Sequence, residues 1–249
     1  TKTLNQPLSF DPPASLTGDT SLLRVTSEPE AGLSQRTVEF MSACKNEPRW
    51  LRDERLSAWQ AYARQEQRAS WGPSQLANLP WHRLRGYSTP RLLPGHPAPP
   101  ESDPTPLSGW QSQIDSEVIS THLREHWTRQ GVIFTDATTG LTQHADRFRK
   151  YFGSIVPRDE NFITRLNAAL FSGGAFIYVP PGVKLTAPLK CLRHLQAAGG
   201  SQFGRTLVLA DREAEITFFE SCTSIEREGP ALHCSVGEFI AAAGAKINY

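Results

Sequence analysis

The sequence has few cysteines, no long apolar run and almost no net charge, and each deficit excludes a class of protein. Four cysteines in 249 residues are too few for a disulfide framework, so we expect a reducing compartment: the cytoplasm, or the plastid stroma if the source bears plastids. No apolar run approaches the roughly 18 residues of a membrane-spanning helix. A net charge of +1 gives no general attraction to nucleic acid or to a membrane surface. We therefore expect neither as a partner.

Several enzyme and metal-binding motifs are also missing. The G-x-x-x-x-G-K-[ST] loop does not occur, so we do not expect the chain itself to bind a nucleotide by that route. Ser201 lacks the flanking glycines of a G-x-S-x-G nucleophile elbow, and no C-x-x-C metal knuckle is present. These features favour a protein that is not an enzyme.

A strand–turn–strand pattern recurs in the last third of the chain. Residues 175–179 form an apolar, aromatic-rich run typical of a buried strand, and the Pro-Pro-Gly at 180–182 ends it. Phe176, Leu207 and Phe239 begin successive copies at a spacing of about 31–32 residues. We predict a mainly β fold with a right-handed β-helix (solenoid) core over residues 171–249, in which each rung buries its inner side chains against the next. Unrelated hairpins are the alternative.

The rest of the chain divides into segments by composition. We predict an extended lead (1–31), a helical N-terminal region (32–68), a Pro-rich linker or loop (69–110) and an α/β lead-in (111–170). Ser34 is a candidate N-cap for a first helix that ends at about Ala43. A second helix is predicted from about Arg49 to Gln67, and a third over residues 115–129. The second helix has one apolar face at helical spacing, formed by Leu51, Ala58, Trp59 and Tyr62.

Two side-chain patterns on these predicted helices have both a functional and a simple structural explanation. The arginines of the second helix either form a basic docking surface or lie on a solvated helix face, which we favour; they are Arg52, Arg55, Arg64 and Arg68. His122 and His126 have an i, i+4 spacing that can bind a metal. No third ligand accompanies them, so we favour a surface or packing pair.

Motifs along much of the chain occur in the order found in one known family. They are G-L-S (32–34), K-N-E-P-R-W (45–50), R-L (55–56), G-V-I-F (131–134), K-Y-F-G-S-I-V-P (150–157), N-F (161–162), S-G-G-A-F-I-Y-V-P-P-G-V-K (172–184), Q-F-G-R-T-L (202–207), E-S-C-T (220–223) and L-H (232–233). The chain resembles the SufB/SufD family, the scaffold proteins of the SUF iron–sulfur cluster assembly system. The N-terminal motifs are closer to SufB than to SufD.

This resemblance implies a function and a set of partners. The chain would be a SufB-like scaffold subunit that accepts sulfur and iron while a cluster is transiently assembled on the complex. A SufC-type ATPase, a SufD-type or second SufB-type subunit, and a cysteine desulfurase or sulfur carrier would be its partners. SufB proteins continue beyond the length seen here, and no initiator methionine is present. We therefore expect a fragment whose β-helix lacks its C-terminal part.

Cys222 is the principal candidate for chemistry. It follows a predicted strand over residues 216–220, at a turn where a thiol can be exposed to partners. The neighbouring acids Glu220 and Glu226 would raise its pKa, so a structural cysteine remains an alternative on the residues alone. By resemblance, Cys222 lies where SufB has the cysteine associated with sulfur entry, although Ser221 replaces the family's glycine.

Other residues match family positions. His233 and Glu238, together with Cys222, are implied as cluster or metal ligands, and a solvated or hydrogen-bonded His233 is the alternative. Arg205 and Gln202 match a Q-F-E-R-T stretch, with glycine at 204 in place of the acid, and we interpret both as structural. Alternation places the buried set Leu232, Cys234 and Val236 on one strand face and His233 on the outward one. Cys191 is expected to be a buried thiol, and Cys44 stands alone at an apolar position of the first helix.

Two other functions are compatible with parts of the sequence. A SufD-like structural partner would contain Cys222 without using it to accept sulfur. A β-helical carbohydrate-active enzyme would need acids along an outward groove, and the sequence offers Asp211, Glu213 and Glu215 around one turn. We favour the scaffold over both.

Overall fold

The computed structural model describes residues 31–64, 76, 78–89, 106–224 and 229–249. The predicted lead up to residue 30, the end of the second predicted helix and most of the Pro-rich segment lie outside these residues. Within them, no helix is both long and apolar enough to cross a membrane.

The N-terminal region begins with two helices, as predicted. They are α1 (Gln35–Cys44) and α2 (Arg49–Ala63). The Ser34 side chain accepts a hydrogen bond from the Thr37 amide at 3.2 Å, which confirms the predicted cap. Leu51, Ala58 and Tyr62 of α2 are buried, so the apolar face inferred from their spacing is also correct.

Arg55 does not lie on a solvated face, and the interpretation of the α2 arginines is wrong for this residue. Its side chain is fully buried and forms a two-point ion pair with Glu47, with N–O distances of 2.7 and 2.6 Å. The guanidinium also lies 3.8 Å from the centre of the Phe171 ring. A sequence pattern could not predict this burial, because Glu47 precedes the helix and Phe171 is more than 100 residues away.

The helix predicted over residues 115–129 is wrong for most of its length. Strands β1 (Gly109–Ile114) and β2 (Glu117–Leu123) form an antiparallel hairpin, and only α3 (Glu125–Arg129) is helical. Asp115 has φ of +50° in the turn, and β2 is rich in β-branched residues, which favours a strand. His122 therefore lies in a strand and His126 in a helix, so the i, i+4 pair does not exist.

A short strand and three helices lead into the remaining strands. They are β3 (Ile133–Asp136), α4 (Ala137–Gln143), α5 (Ala145–Tyr151) and α6 (Phe162–Leu170). The start of α6 is fixed by a capping box, in which Asn161 accepts from the Thr164 amide and Thr164 accepts from the Asn161 amide.

The later strands build two sheets. They are β4 (Ala175–Val179), β5 (Leu189–Leu195), β6 (Ser201–Ala210), β7 (Glu215–Ser224), β8 (Leu232–Ala241) and β9 (Lys246–Asn248). Sheet A has the order β2-β1-β5-β7-β9 and sheet B the order β3-β4-β6-β8. Two pairs, β1–β2 and β3–β4, are antiparallel. The other pairs are parallel: β1–β5, β4–β6, β5–β7, β6–β8 and β7–β9.

The sequence spacing is visible in the strand register. Phe176 pairs with Leu207, which pairs with Glu238, so each step in sheet B is 31 residues. The third copy is thus aligned on Glu238, one residue before the Phe239 expected from the pattern.

The predicted fold class is wrong. The described residues form a mixed α/β fold with two mixed sheets, not a mainly β protein with a β-helix core. The repeat spacing determines only how neighbouring parallel strands align. It carried no information on the antiparallel strands at one edge of each sheet or on the helices that cover sheet B.

The core lies in two layers on either side of sheet B. Phe176 and Leu207 face the helices and pack in one cluster with Leu51, Leu166 and Leu170. Their strand neighbours face sheet A and form the second cluster, which includes Ile177, Val208, Leu189, Ile216 and Phe218. This alternation follows from the two-residue period of a strand. Toward the start of β6 and β8, the layer between the sheets becomes polar.

Candidate functional site

Cys222 lies near the end of β7, on the face that looks toward sheet B. Strand β7 continues to Ser224, so the cysteine is part of a strand and not of the predicted turn. Its side chain is exposed. In the parallel register its partner on β5 is Arg193, and its Sγ lies 3.9 Å from Oε1 of Gln202 on β6. The exposed thiol thus has polar neighbours on two other strands, β5 and β6.

Arg193, the neighbour of Cys222 on β5 of sheet A, is the cation that acts on this thiol. Its side chain is almost completely buried and forms an ion pair with Glu220. Its Nη2 also donates to Thr206 Oγ1 at 2.9 Å. The space for the guanidinium comes from Gly204, where an added Cβ would be only 2.1 Å from Nη1.

The surroundings of Cys222 shift the pKa of its thiol in opposite directions. Burial raises the pKa of the thiol, Arg193 lowers it and Glu220 raises it. Burial is the largest of these effects and Glu220 adds to it, so the thiol is protonated at neutral pH. Tyr249 completes the arrangement: its hydroxyl donates to the second Glu220 oxygen at 2.8 Å, and burial, then the hydrogen bond, raise its pKa to about 12.

His233 lies near the start of β8 and shares a partner with Cys222. Its Nδ1 is 2.9 Å from Gln202 Oε1, and Gln202 and His233 are register partners on β6 and β8. His233 therefore lies on the face toward sheet A and does not point away from the fold as predicted, although it is exposed. Burial, then Arg193, lower the pKa of the imidazole.

Glu238 belongs to a separate, buried ion pair. It is 1% exposed, and Arg205 Nη2 donates to its carboxylate at 2.9 Å. The same carboxylate accepts from the amides of Gly153, Ile155 and Val156 at 2.9, 2.9 and 3.2 Å. Glu238 thus attaches the loop between α5 and α6 to sheet B.

The predicted ligands do not form a metal centre by themselves. Across the described ranges, no group of three or more His, Cys, Asp or Glu side chains is placed to hold a metal ion. The structure brings Cys222 and His233 to one amide, and it engages Glu238 with Arg205 and the loop over residues 153–156.

The sequence is similar to those of known proteins. The family profile described as the SufBD protein N-terminal region matches residues 111–191. A protein of Staphylococcus epidermidis named as an iron–sulfur cluster assembly SufBD family protein is 32% identical over 235 residues, covering 88% of this chain and 50% of its own length. A protein of the same description from Staphylococcus aureus is 32% identical over 241 residues, with the same coverage. The chain belongs to the SufBD family.

This chain corresponds to only part of the relatives that it matches. The chain spans about half the length of the curated SufBD relatives it matches. The matched profile ends in β5, so it includes Cys191 and does not reach Cys222, His233 or Glu238.

Two of the other three cysteines of this SufBD family chain differ from Cys222 in exposure. Cys191 and Cys234 are buried, as predicted. Burial raises their pKa values to about 12 and about 11, which keeps both thiols protonated. Cys44 is exposed at the end of α1 instead of lying at an apolar position.

Sequence reasoning missed the Arg193–Glu220 pair and the role of Asp115. A signal for Arg193 was present, since it alternates with the buried Cys191 and Leu195 in β5, and an arginine on the apolar face of a strand indicates a buried partner. No comparable signal marked Asp115. Its contacts with Gln196 and Ala197 depend on the β1–β2 hairpin, which the sequence did not predict.

Proposed function

We propose that this chain is part of a SufB-like scaffold subunit for iron–sulfur cluster assembly, with Cys222 as the residue that accepts sulfur. The observation that carries the proposal is the placement of Cys222. It is exposed at the end of β7, whereas the other cysteines of the two sheets, Cys191 and Cys234, are buried. The names of the SufBD relatives support the assembly role.

The proposed chemistry is a sulfur transfer that needs no added oxidant. The Cys222 thiolate attacks the outer sulfur of a donor persulfide. The donor's S–S bond breaks, a new S–S bond forms at Cys222, and the donor cysteine leaves as a thiolate. The step requires deprotonation of Cys222, so Arg193 favours it and Glu220 opposes it. The chain itself acts as an acceptor and not as an enzyme.

The partners follow from the same proposal. The sulfur donor is a cysteine desulfurase or its carrier, an ATPase of the SufC type supplies the energy, and a SufD-type or second SufB-type subunit completes the scaffold. The cluster is transient, with iron and sulfur as substrates. The free cysteines support a reducing compartment such as the cytoplasm.

The test is transfer of radiolabelled sulfur from a cysteine desulfurase to the chain, followed by digestion and mapping of the labelled peptide. We expect label on the peptide that contains Cys222 and its loss in Cys222→Ser. The matched control is Cys44→Ser, which removes the other exposed thiol and should leave labelling unchanged. Equal labelling of the Cys222→Ser variant would refute the proposal.

One observation favours a second function, that of a SufD-like structural partner. Glu220 pairs with Arg193 and raises the pKa of Cys222, which is what an unreactive structural thiol would show. In this case the labelling experiment would leave the chain unlabelled, while the chain would still bind the other scaffold subunit.

A further inference from the structure

Gln202 is a buried amide whose orientation is determined by the main chain. It is completely inaccessible to solvent, and its Nε2 lies 2.8 Å from the carbonyl oxygen of Asp115. A carbonyl oxygen can only accept a hydrogen bond, so the atom facing it must be the NH₂ group. The opposite amide orientation would place two oxygens against each other.

The Asp115 carbonyl is itself held in place. Asp115 lies in the β1–β2 turn with φ of +50° and is 2% exposed. Its Oδ1 accepts from the amides of Gln196 and Ala197 at 2.6 and 2.8 Å. The turn is therefore tied to the end of β5, which gives the Gln202 amide a rigid partner.

The fixed orientation determines what Gln202 presents to the candidate site. Its Oε1 faces His233 Nδ1 at 2.9 Å and Cys222 Sγ at 3.9 Å. Oε1 carries no proton, so both neighbours must donate to it. For the neutral imidazole this places the proton on Nδ1 and leaves the lone pair on Nε2.

We infer that Gln202 is a positioning residue of the candidate site, which holds His233 in the Nδ1–H tautomer and orients the Cys222 thiol through one shared oxygen. A role of this arrangement in sulfur acceptance rests on the proposed function. His233 Nε2 is then the nitrogen that can accept a proton or bind a metal ion, and the Cys222 thiol is held by a weak contact until a donor approaches.

A purely structural role for Gln202 would also link the β1–β2 turn to sheet B. Loss of stability in a variant would therefore not separate the two roles. The tautomer of His233 does separate them, because only the Oε1 contact determines which ring nitrogen carries the proton.

The test is nuclear magnetic resonance of the 249-residue chain labelled with ¹⁵N-histidine, at pH 8, where the ring is neutral. His233→Asn identifies the signals of this ring among the seven histidines. We expect the unaltered chain to show a protonated Nδ1 and an unprotonated Nε2. A protonated Nε2 in the unaltered chain would overturn the inference without any variant.

One substitution and its control extend the test. Gln202→Met removes the acceptor and should shift the ring toward the Nε2–H form. Gln111→Met is the matched control, since Gln111 is also a buried glutamine of the polar layer and should leave the tautomer unchanged. An unchanged tautomer in Gln202→Met would overturn the inference.

Alkylation of Cys222 by iodoacetamide gives a second readout. We expect it to be about threefold faster in Gln202→Met than in the unaltered chain, since the thiol loses an acceptor worth roughly a weak hydrogen bond. An unchanged rate would overturn the part of the inference that concerns Cys222. If the tautomer and the alkylation behave as expected but labelled sulfur is not accepted, the inference stands and the proposed function falls.

Discussion

Replacement of Gly204 by alanine should destabilise the fold, because the glycine provides the space that Arg193 occupies. An alanine Cβ at this position would be 2.1 Å from Arg193 Nη1 and 2.9 Å from Ser235 Oγ, and distances below 3.0 Å require one group to move. The serine hydroxyl is exposed and can rotate. The guanidinium is buried and held by Glu220 and Thr206, so it has no free direction in which to move.

The size of the effect follows from two opposing terms. Replacing glycine by alanine in a strand normally stabilises by about 0.4–1 kcal/mol, because it restricts the unfolded chain. Overpacking costs about 1–3 kcal/mol, and breaking a buried ion pair costs about 3–5 kcal/mol. The cost of the clash should exceed the gain from restricting the unfolded chain. We therefore expect Gly204→Ala to lower the free energy of unfolding by about 2–3 kcal/mol. For a chain of this length this corresponds to roughly 4–12 °C in Tm.

Urea unfolding followed by tryptophan fluorescence measures this change. A double-mutant cycle identifies its cause. In the background Arg193→Met with Glu220→Gln, the guanidinium and its partner charge are both removed, and the cost of Gly204→Ala should fall below about 1 kcal/mol. An equal cost in both backgrounds would refute the argument, because it would show that something other than Arg193 occupies the space.

Three further predictions concern the buried charges. Arg55→Lys should cost about 2 kcal/mol in urea unfolding, because lysine cannot reproduce the two-point contact of the guanidinium with its buried carboxylate; no change would contradict this. Glu238→Gln should cost about 3 kcal/mol by removing the charge opposite a buried arginine, and amide hydrogen exchange should accelerate in the loop between α5 and α6 rather than across the sheets. Glu220→Gln should shift the pH profile of Cys222 alkylation to lower pH, because the carboxylate raises the pKa of the thiol and its removal leaves more thiolate at a given pH; a shift to higher pH would contradict the sign.

The helices at the N-terminus show how much local patterns can predict. Ser34 as a cap and the spacing of Leu51, Ala58 and Tyr62 predicted α1 and the buried face of α2, because caps and helical periodicity depend on residues within a few positions of one another. The same kind of reasoning failed for residues 115–123. There, pairing of β2 with β1 decided the structure, and local periodicity did not reveal that partner.

The candidate site was predictable in its residues but not in its contacts. Family motifs identified Cys222, His233 and Glu238, and the structure brings the first two to one amide. Glu238 is instead engaged by Arg205 and by backbone amides more than 80 residues earlier. Whether any of the three binds iron or sulfur stays a prediction.

By itself, the sequence determined the local features of this protein: the start of α1, the turn at residues 180–182, and the 31-residue step between parallel strands. These depend on backbone preferences and on side chains close together in the chain. Only the tertiary structure decided the mixed α/β architecture, the burial of Arg55, and the pairing of Arg193 with Glu220 in the space left by Gly204. The physical reason is that a buried charge needs a partner and the space beside a glycine needs a side chain to fill it. Those partners come from distant parts of the chain.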